Sequence, residues 1–220
     1  MNTGFKFTTF MCAGSLILVE DELTGPDRQD GLDALLYAHT VASNKFPDFR
    51  AIDDWTQANK MAVRTLGATL FSDTHVSIPV SLPDSFTLSE LLQRVVGQVV
   101  PSAASRSLLA SLERLSRQDS ASAANELMRR HALQQERWIR LQVGVMSAGT
   151  RMSVFTMAFE YGEPVAGNLA AQRFSRQKVN ANLTVSGYQA LVEQEDYDLS
   201  RATVISLLGT RRQEQVIELI

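Results

Sequence analysis

Residues 179–192 read VNANLTVSGYQALV, and their reading decides the fold. Val179, Ala181, Leu183 and Val185 alternate without a miss against Asn180, Asn182, Thr184 and Ser186. Period two over that length predicts a β-strand. Gly187 breaks the phase, and Tyr188, Ala190 and Val192 carry the apolar side onward. A glycine at a phase slip marks a β-bulge, so the run is expected to form one long bent strand. At about 3.3 Å per residue it would reach roughly 45 Å.

Two more strands are expected upstream. Ile139, Leu141, Val143 and Val145 alternate with Arg140, Gln142 and Gly144. After a Gly149-containing turn, Phe155, Met157, Phe159 and Tyr161 share one face and Val154, Thr156 and Ala158 the other. Earlier still, the period is mainly helical. Leu32 to Asn44 follows a loop at Thr24–Gly31, and a second stripe runs from Trp55 to Leu70 with Asp53 or Asp54 as cap. Val76, Ile78, Val80 and Leu82 alternate as a strand that Pro79 confines to a sheet edge. Thr87 and Glu90 have capping-box spacing, opening a helix to about Val100. Pro101 opens another, with Leu108, Leu109, Leu112 and Leu115 as its stripe, and a third covers Ala123–Gln135. Residues 1–20 read as one or two strands, Glu193–Asp198 as an acidic loop and Ser200–Leu208 as a short helix.

Helices gathered early and strands gathered late predict an α+β domain with a mostly antiparallel sheet and amphipathic helices laid over it. The chain is expected to be one domain over residues 1–220, with a helical half at about 31–136 and a long-strand half at about 139–193.

Composition narrows the function. The 220 residues carry a formal charge of −3, so no global positive field draws the chain to nucleic acid. No run of 18 apolar residues exists. Lys6 with Phe7–Val19 is a poor signal peptide, because no A-x-A site follows. The protein is therefore expected to be made in the cytoplasm and then released or secreted.

Chemistry-bearing motifs are sparse. His39, His75 and His131 lack zinc-ligand spacing, and His39 and His131 lie on helix stripes, as satisfied core histidines do. Cys12 sits among apolar neighbours and is expected to pack rather than react. No G-x-S-x-G, P-loop or G-x-G-x-x-G is present. No enzyme activity, cofactor or metal is expected. The acidic run at Glu193, Glu195, Asp196 and Asp198 lacks EF-hand spacing.

The three C-terminal strands are each about as long as the roughly 9–11 residues that cross a bilayer as a tilted strand. Alternating patterns suit a wall with one lipid face and one wet face, although an ordinary covered sheet alternates too. The order of elements resembles that of the Cyt-type cytolytic toxins, the δ-endotoxin group with its fungal cardiotoxin relative. HVSIPVS at 75–81, helices from Thr87 and Pro101, and Glu136-Arg137-Trp138 before the strands carry the likeness. Pro79 and the arginines around 106–140 depart from it.

That resemblance implies a single-domain α/β/α sandwich, with helix pairs covering the sheet and long strands associated with membrane damage. Lipid bilayers and further copies of the chain are then the expected partners, in a pore-forming virulence role. Ile139, Leu141, Val143, Val145, Phe155, Phe159, Val179, Leu183 and Val185 are the expected membrane-contacting residues. Arg137, Arg140, Arg173, Arg176 and Lys178 are the expected headgroup contacts. The alternatives are a non-catalytic interaction protein of the same fold and a carrier of a small ligand or lipid.

Overall fold

The computed structural model describes residues 6–76, 82–96, 102–180 and 183–219. The strands are β1 (Phe7–Cys12), β2 (Ser15–Glu20), β3 (Ala68–Val76), β4 (Ser85–Phe86), β5 (Leu133–Gln134), β6 (Trp138–Ser147), β7 (Arg151–Glu160), β8 (Phe174–Ser175), β9 (Thr184–Val192) and β10 (Val216–Leu219). The helices are α1 (Gly25–Lys45), α2 (Ile52–Thr65), α3 (Leu88–Val96), α4 (Ser102–Arg117), α5 (Ala123–Ala132), α6 (Gln194–Leu208) and α7 (Arg211–Glu214). The main sheet runs β10-β1-β2-β6-β7-β9-β3, with β5 beside β6. Only the β2–β6 neighbours are parallel among its described pairs. The expected α+β class with a mostly antiparallel sheet is what the chain adopts.

Alternation sends side chains to both sides of the sheet, and both sides are covered. Odd-numbered residues of β1, β6 and β7, such as Met11, Leu141 and Phe155, share a core with Leu91 of α3, Leu108 of α4 and Leu127 of α5. Even-numbered residues, such as Cys12, Met146 and Val154, pack with Leu35 of α1, Val63 of α2 and Val204 of α6. One layer is therefore α3, α4 and α5, and the other is α1, α2 and α6.

Several local expectations need correction. The strand expected over 179–192 is shorter: β9 covers nine residues, and Val179 makes an isolated antiparallel bridge to Tyr161. Residues 181–182 of that expectation lie outside the described residues. Gly187 is not a bulge, because it pairs in continuous register with Phe155 and with Thr74. What changes at Gly187 is the face that receives apolar residues: Leu183 and Val185 join the α3–α5 side, and Tyr188, Ala190 and Val192 the other. The bulge lies instead on β3, between Leu70 and Ser72.

A Cβ on Gly187 would lie 2.6 Å from Phe155 Cδ1 and 2.8 Å from the Val154 carbonyl oxygen. Backbone cannot yield as a flexible side chain does. Gly187→Ala is expected to cost about 1–3 kcal/mol through overpacking, read as a lower urea midpoint at unchanged slope.

β3 occupies a stretch expected to end a helix and turn. Leu66 and Leu70 continue the helical stripe, but Gly67 adopts φ +85° and closes the helix at Thr65. The alternation expected from Val76 onward, Pro79 included, falls largely on 77–81, outside the described residues. β3 is an edge strand. α1 begins at Gly25 rather than Leu32, because Pro26 sits in its first turn, where a missing N–H costs nothing. α2 is capped by Ala51, with Asp53 and Asp54 in the first turn. The acidic run is no loop: Glu195 and Asp196 lie in the first turn of α6, favoured by the positive helix end. The capping box of α3 forms as expected. Glu90 N–H donates to Thr87 Oγ1 at 3.2 Å, and Thr87 N–H donates to Glu90 Oε2 at 2.9 Å.

Candidate functional site

The nine apolar residues singled out on the strands converge on one face. Ile139, Leu141, Val143, Val145, Phe155, Phe159, Leu183 and Val185 are buried in the core beneath α3–α5, and Val179 packs against it from a half-buried position. Met11, Leu16 and Leu18 extend the same face through β1 and β2. The cover is equally apolar: Leu88, Leu91, Leu92 and Val95 of α3, and Ala104, Leu108, Leu112 and Leu115 of α4.

The opposite face is different. Ser15 donates to Gln142 Oε1 at 3.1 Å, Tyr188 donates to Asn59 Oδ1 at 2.9 Å, and the Thr56 and Ser186 hydroxyls meet at 3.1 Å. A polar seam thus lies between the sheet and α2. That face is apolar too, with Ile17, Val154 and Ala190 in its core, but it carries this seam in addition.

The greasy interface carries one polar stitch of its own. The hydroxyls of Thr9 on β1 and Ser111 on α4 lie 2.8 Å apart, both buried. The Ser111 hydroxyl also lies 2.9 Å from the Ser107 carbonyl. Arg114 donates to the Leu219 carbonyl at 3.1 Å, joining α4 to β10.

Of the five expected headgroup cations, four are exposed. Arg137 precedes β6, and Arg173, Arg176 and Lys178 flank or follow β8. Backbone bonds bring these segments to one end of the sheet: Tyr161 N–H donates to Arg137 O, and Gly162 N–H to Lys178 O. Lys178 pairs with Glu163, and Arg173 lies 3.7 Å from Glu90. Arg176 donates to the Leu82 carbonyl.

Arg140 is the correction. It is only 3% exposed and lies inside the fold, not on the surface with the other four. As an even-numbered β6 residue it points under α1 and α2. Its guanidinium lies 3.8 Å from the Phe49 ring centroid and 4.2 Å from that of Trp55. Stacking on both rings offsets part of its desolvation. Burial still pulls its pKa down to about 9.

His39 and His131 meet beside it, with ring centroids 5.6 Å apart, although 92 residues separate them. Both are core histidines in position, yet His39 Nδ1 and His131 Nε2 have no hydrogen-bond partner among the described residues. Sequence reasoning placed each on a helix stripe but could not pair them. Cys12 is buried, as expected, and burial pushes its thiol up to about 12, with Asp33 adding to the shift. Among the described residues no group of histidine, cysteine and carboxylate side chains could hold a metal ion. No described helix is long and apolar enough to cross a membrane.

No protein-family model matches the chain, and no curated protein does. Among solved structures, the Evf virulence factor aligns over 96% of this chain and 86% of its own, at 9% identity and a TM-score of 0.37. A delta-endotoxin aligns over 79% of this chain and 78% of its own, at 14% identity and the same score. The resemblance is weak and confined to the fold.

The histidine pair makes stability depend on pH. Burial, with Arg140 and the other histidine adding repulsion, holds His39 well below its ordinary value. Burial, then Arg130 and Arg140, lowers His131 to about 4. The unfolded chain takes up these protons near pH 6.5. Between that pH and about 4 the unfolded state binds more protons, so the stability these neutral rings contribute is whole above pH 6.5 and drains as pH falls. For the fully buried His39 the slope approaches about 1.4 kcal/mol per pH unit. Urea titrations at pH 7 and pH 5 are expected to show this loss, and His39→Leu is expected to flatten it.

Proposed function

We propose that this protein is a non-catalytic, membrane-active cytolytic protein, released or secreted to reach its target. The α3–α5 layer moves aside on a bilayer and gives the greasy sheet face to lipid. The supporting observation is the convergence of the nine strand residues on one face, under helices that hold it by apolar contact. Three points agree with it. β6 and β7 have ten residues each, within the range that crosses a bilayer as tilted strands. Ladder bonds between β6, β7 and β9 need not break when the cover leaves. The order of elements resembles that of the Cyt-type cytolysins.

Magnitudes decide where opening takes place. At about 1.5–3 kcal/mol per buried large apolar side chain, exposing the nine strand residues to water would cost on the order of 15–25 kcal/mol. A domain's whole stability is about 5–15 kcal/mol. The cover therefore stays closed in water and opens only where lipid receives both surfaces. Copies side by side on the bilayer then complete the wall, since a lone sheet leaves its edges unpaired.

The test is release of a trapped dye from liposomes of anionic and zwitterionic lipid, at pH 7 and pH 5. Release that scales with protein, and is faster at pH 5 where the fold is weaker, is expected. A folded protein that releases nothing under any of these conditions would contradict the proposal.

A further inference from the structure

We propose that the buried Arg140 guanidinium, together with His131 and Arg130, forms a binding site for a small phosphate group. The site is separate from the greasy face, and the inference does not rest on the membrane reading.

A cavity of about 210 Å³ opens where α1, α5 and the start of β6 meet, lined by Ser43, Pro47, Phe49, Arg130, His131, Leu133, Gln134 and Arg140. Its charge is of one sign: the Arg130 and Arg140 guanidiniums line it with the neutral His131 ring, and none of its lining residues is a carboxylate. Arg140 donates from Nη2 to Ser43 Oγ at 3.3 Å, but its Nε and Nη1 find no acceptor among the described residues.

A guanidinium this deeply buried normally has an anion beside it, because desolvating an unpaired ion costs several kcal/mol. The walls are also fixed in advance. Phe49 and Trp55 both lie against the guanidinium, at 3.8 and 4.2 Å. Gln134 spends its amide on the backbone of the facing loop, accepting from Phe49 N–H at 2.9 Å and donating to the Pro47 carbonyl at 2.9 Å. Ser43 can donate its own hydroxyl to an incoming oxygen. Two guanidiniums with an imidazole beside them suit a tetrahedral anion better than a single carboxylate, and arginine's fork matches phosphate oxygens. The phosphate is either a free ion or the headgroup of a lipid, which share this chemistry.

The experiment is an NMR titration of the His131 ring in the full chain at pH 7 and constant ionic strength, with thermal melting alongside. Inorganic phosphate is one probe, and vesicles containing phosphatidic acid are the other. A saturable shift of the His131 resonances with a raised Tm is expected, for at least one probe. Response to inorganic phosphate assigns the free ion, and response to vesicles alone assigns the headgroup. Arg130→Gln, at an exposed rim position, is expected to weaken binding about tenfold without loss of fold. Arg140→Met is expected to abolish it; should that variant not fold, Arg130→Gln carries the test. No saturable response to either probe, or a response that Arg130→Gln leaves at wild-type strength, would overturn the site.

Discussion

Arg212→Ala is expected to destabilise the protein by about 3–5 kcal/mol, the usual result of stripping the partner from a buried ion. Asp33 on α1 is 1% exposed, and Arg212 on α7 reaches both its oxygens, Nε at 2.9 Å and Nη2 at 2.8 Å. Arg212 is itself half-buried, and the hydrogen bond to Asp33 holds its guanidinium above its ordinary value. Without it, Asp33 keeps only the Gln29 amide among the described residues, at 3.0 Å.

The neighbouring pair is a weaker version of the same device. Arg201 contacts Asp30 at 2.6 Å but is 32% exposed and shares its charge with Asp198. Its loss is expected to cost less, because solvent reaches Arg201 and screens the pair. The two pairs matter because α6 buries only Tyr197, Val204 and Leu208 of its 15 residues. Charge therefore does much of the holding of the α6–α7 segment on α1. Urea melts measure the loss, and the double variant Asp33→Leu/Arg212→Met separates the causes. If the penalty comes from an orphaned carboxylate, the double variant recovers most of the stability. If it comes from lost packing, it does not.

How much of this was legible in the sequence follows from the range of each signal. The face shared by Ile139, Leu141, Val143 and Val145 was visible because alternation is written in neighbouring residues. The capping box at Thr87 and Glu90 was visible for the same reason. The α1 start was missed because Gly25-Pro26 serves a loop and a helix's first turn equally well. β3 was missed because Leu66 and Leu70 keep helical spacing, and only Gly67, with its left-handed backbone, decides the matter. Gly187 was read as a bulge because a change in the covered face looks the same as a slip in register. Which helical layer covers each half of β9 was the missing fact.

Arg140 and the pairs Asp33–Arg212 and His39–His131 had no local signal. Their partners lie far away in the chain, brought close by the helical layer that crosses the sheet. An arginine on an alternating strand reads as solvent-facing unless the aromatic rings that cover it are known. Phe49 and Trp55 sit in segments whose own patterns concern capping and helix stripes.

The second large effect follows from the Thr9–Ser111 stitch. Their hydroxyls are 2.8 Å apart across the greasy interface, so cysteines at both positions would place two sulfurs within bonding reach after a small rotation. The favoured Cβ separation for a disulfide, about 3.5–4.5 Å, is compatible with that approach. The bond would span 102 residues of sequence, a loop for which constraint of the unfolded chain contributes about 4–5 kcal/mol. It would also fasten α4 to β1 covalently. Cys12, on the same strand, is replaced by alanine to prevent mispairing.

The decisive measurement is dye release from liposomes by Cys12→Ala/Thr9→Cys/Ser111→Cys, compared before and after reduction, with the cross-link verified by mass. A removable cover predicts less than about a tenth of the Cys12→Ala rate while the bond is intact, and full recovery once it is reduced. Release at the unlocked rate by fully cross-linked protein would show that release does not require α4 to leave the sheet, and would contradict the account.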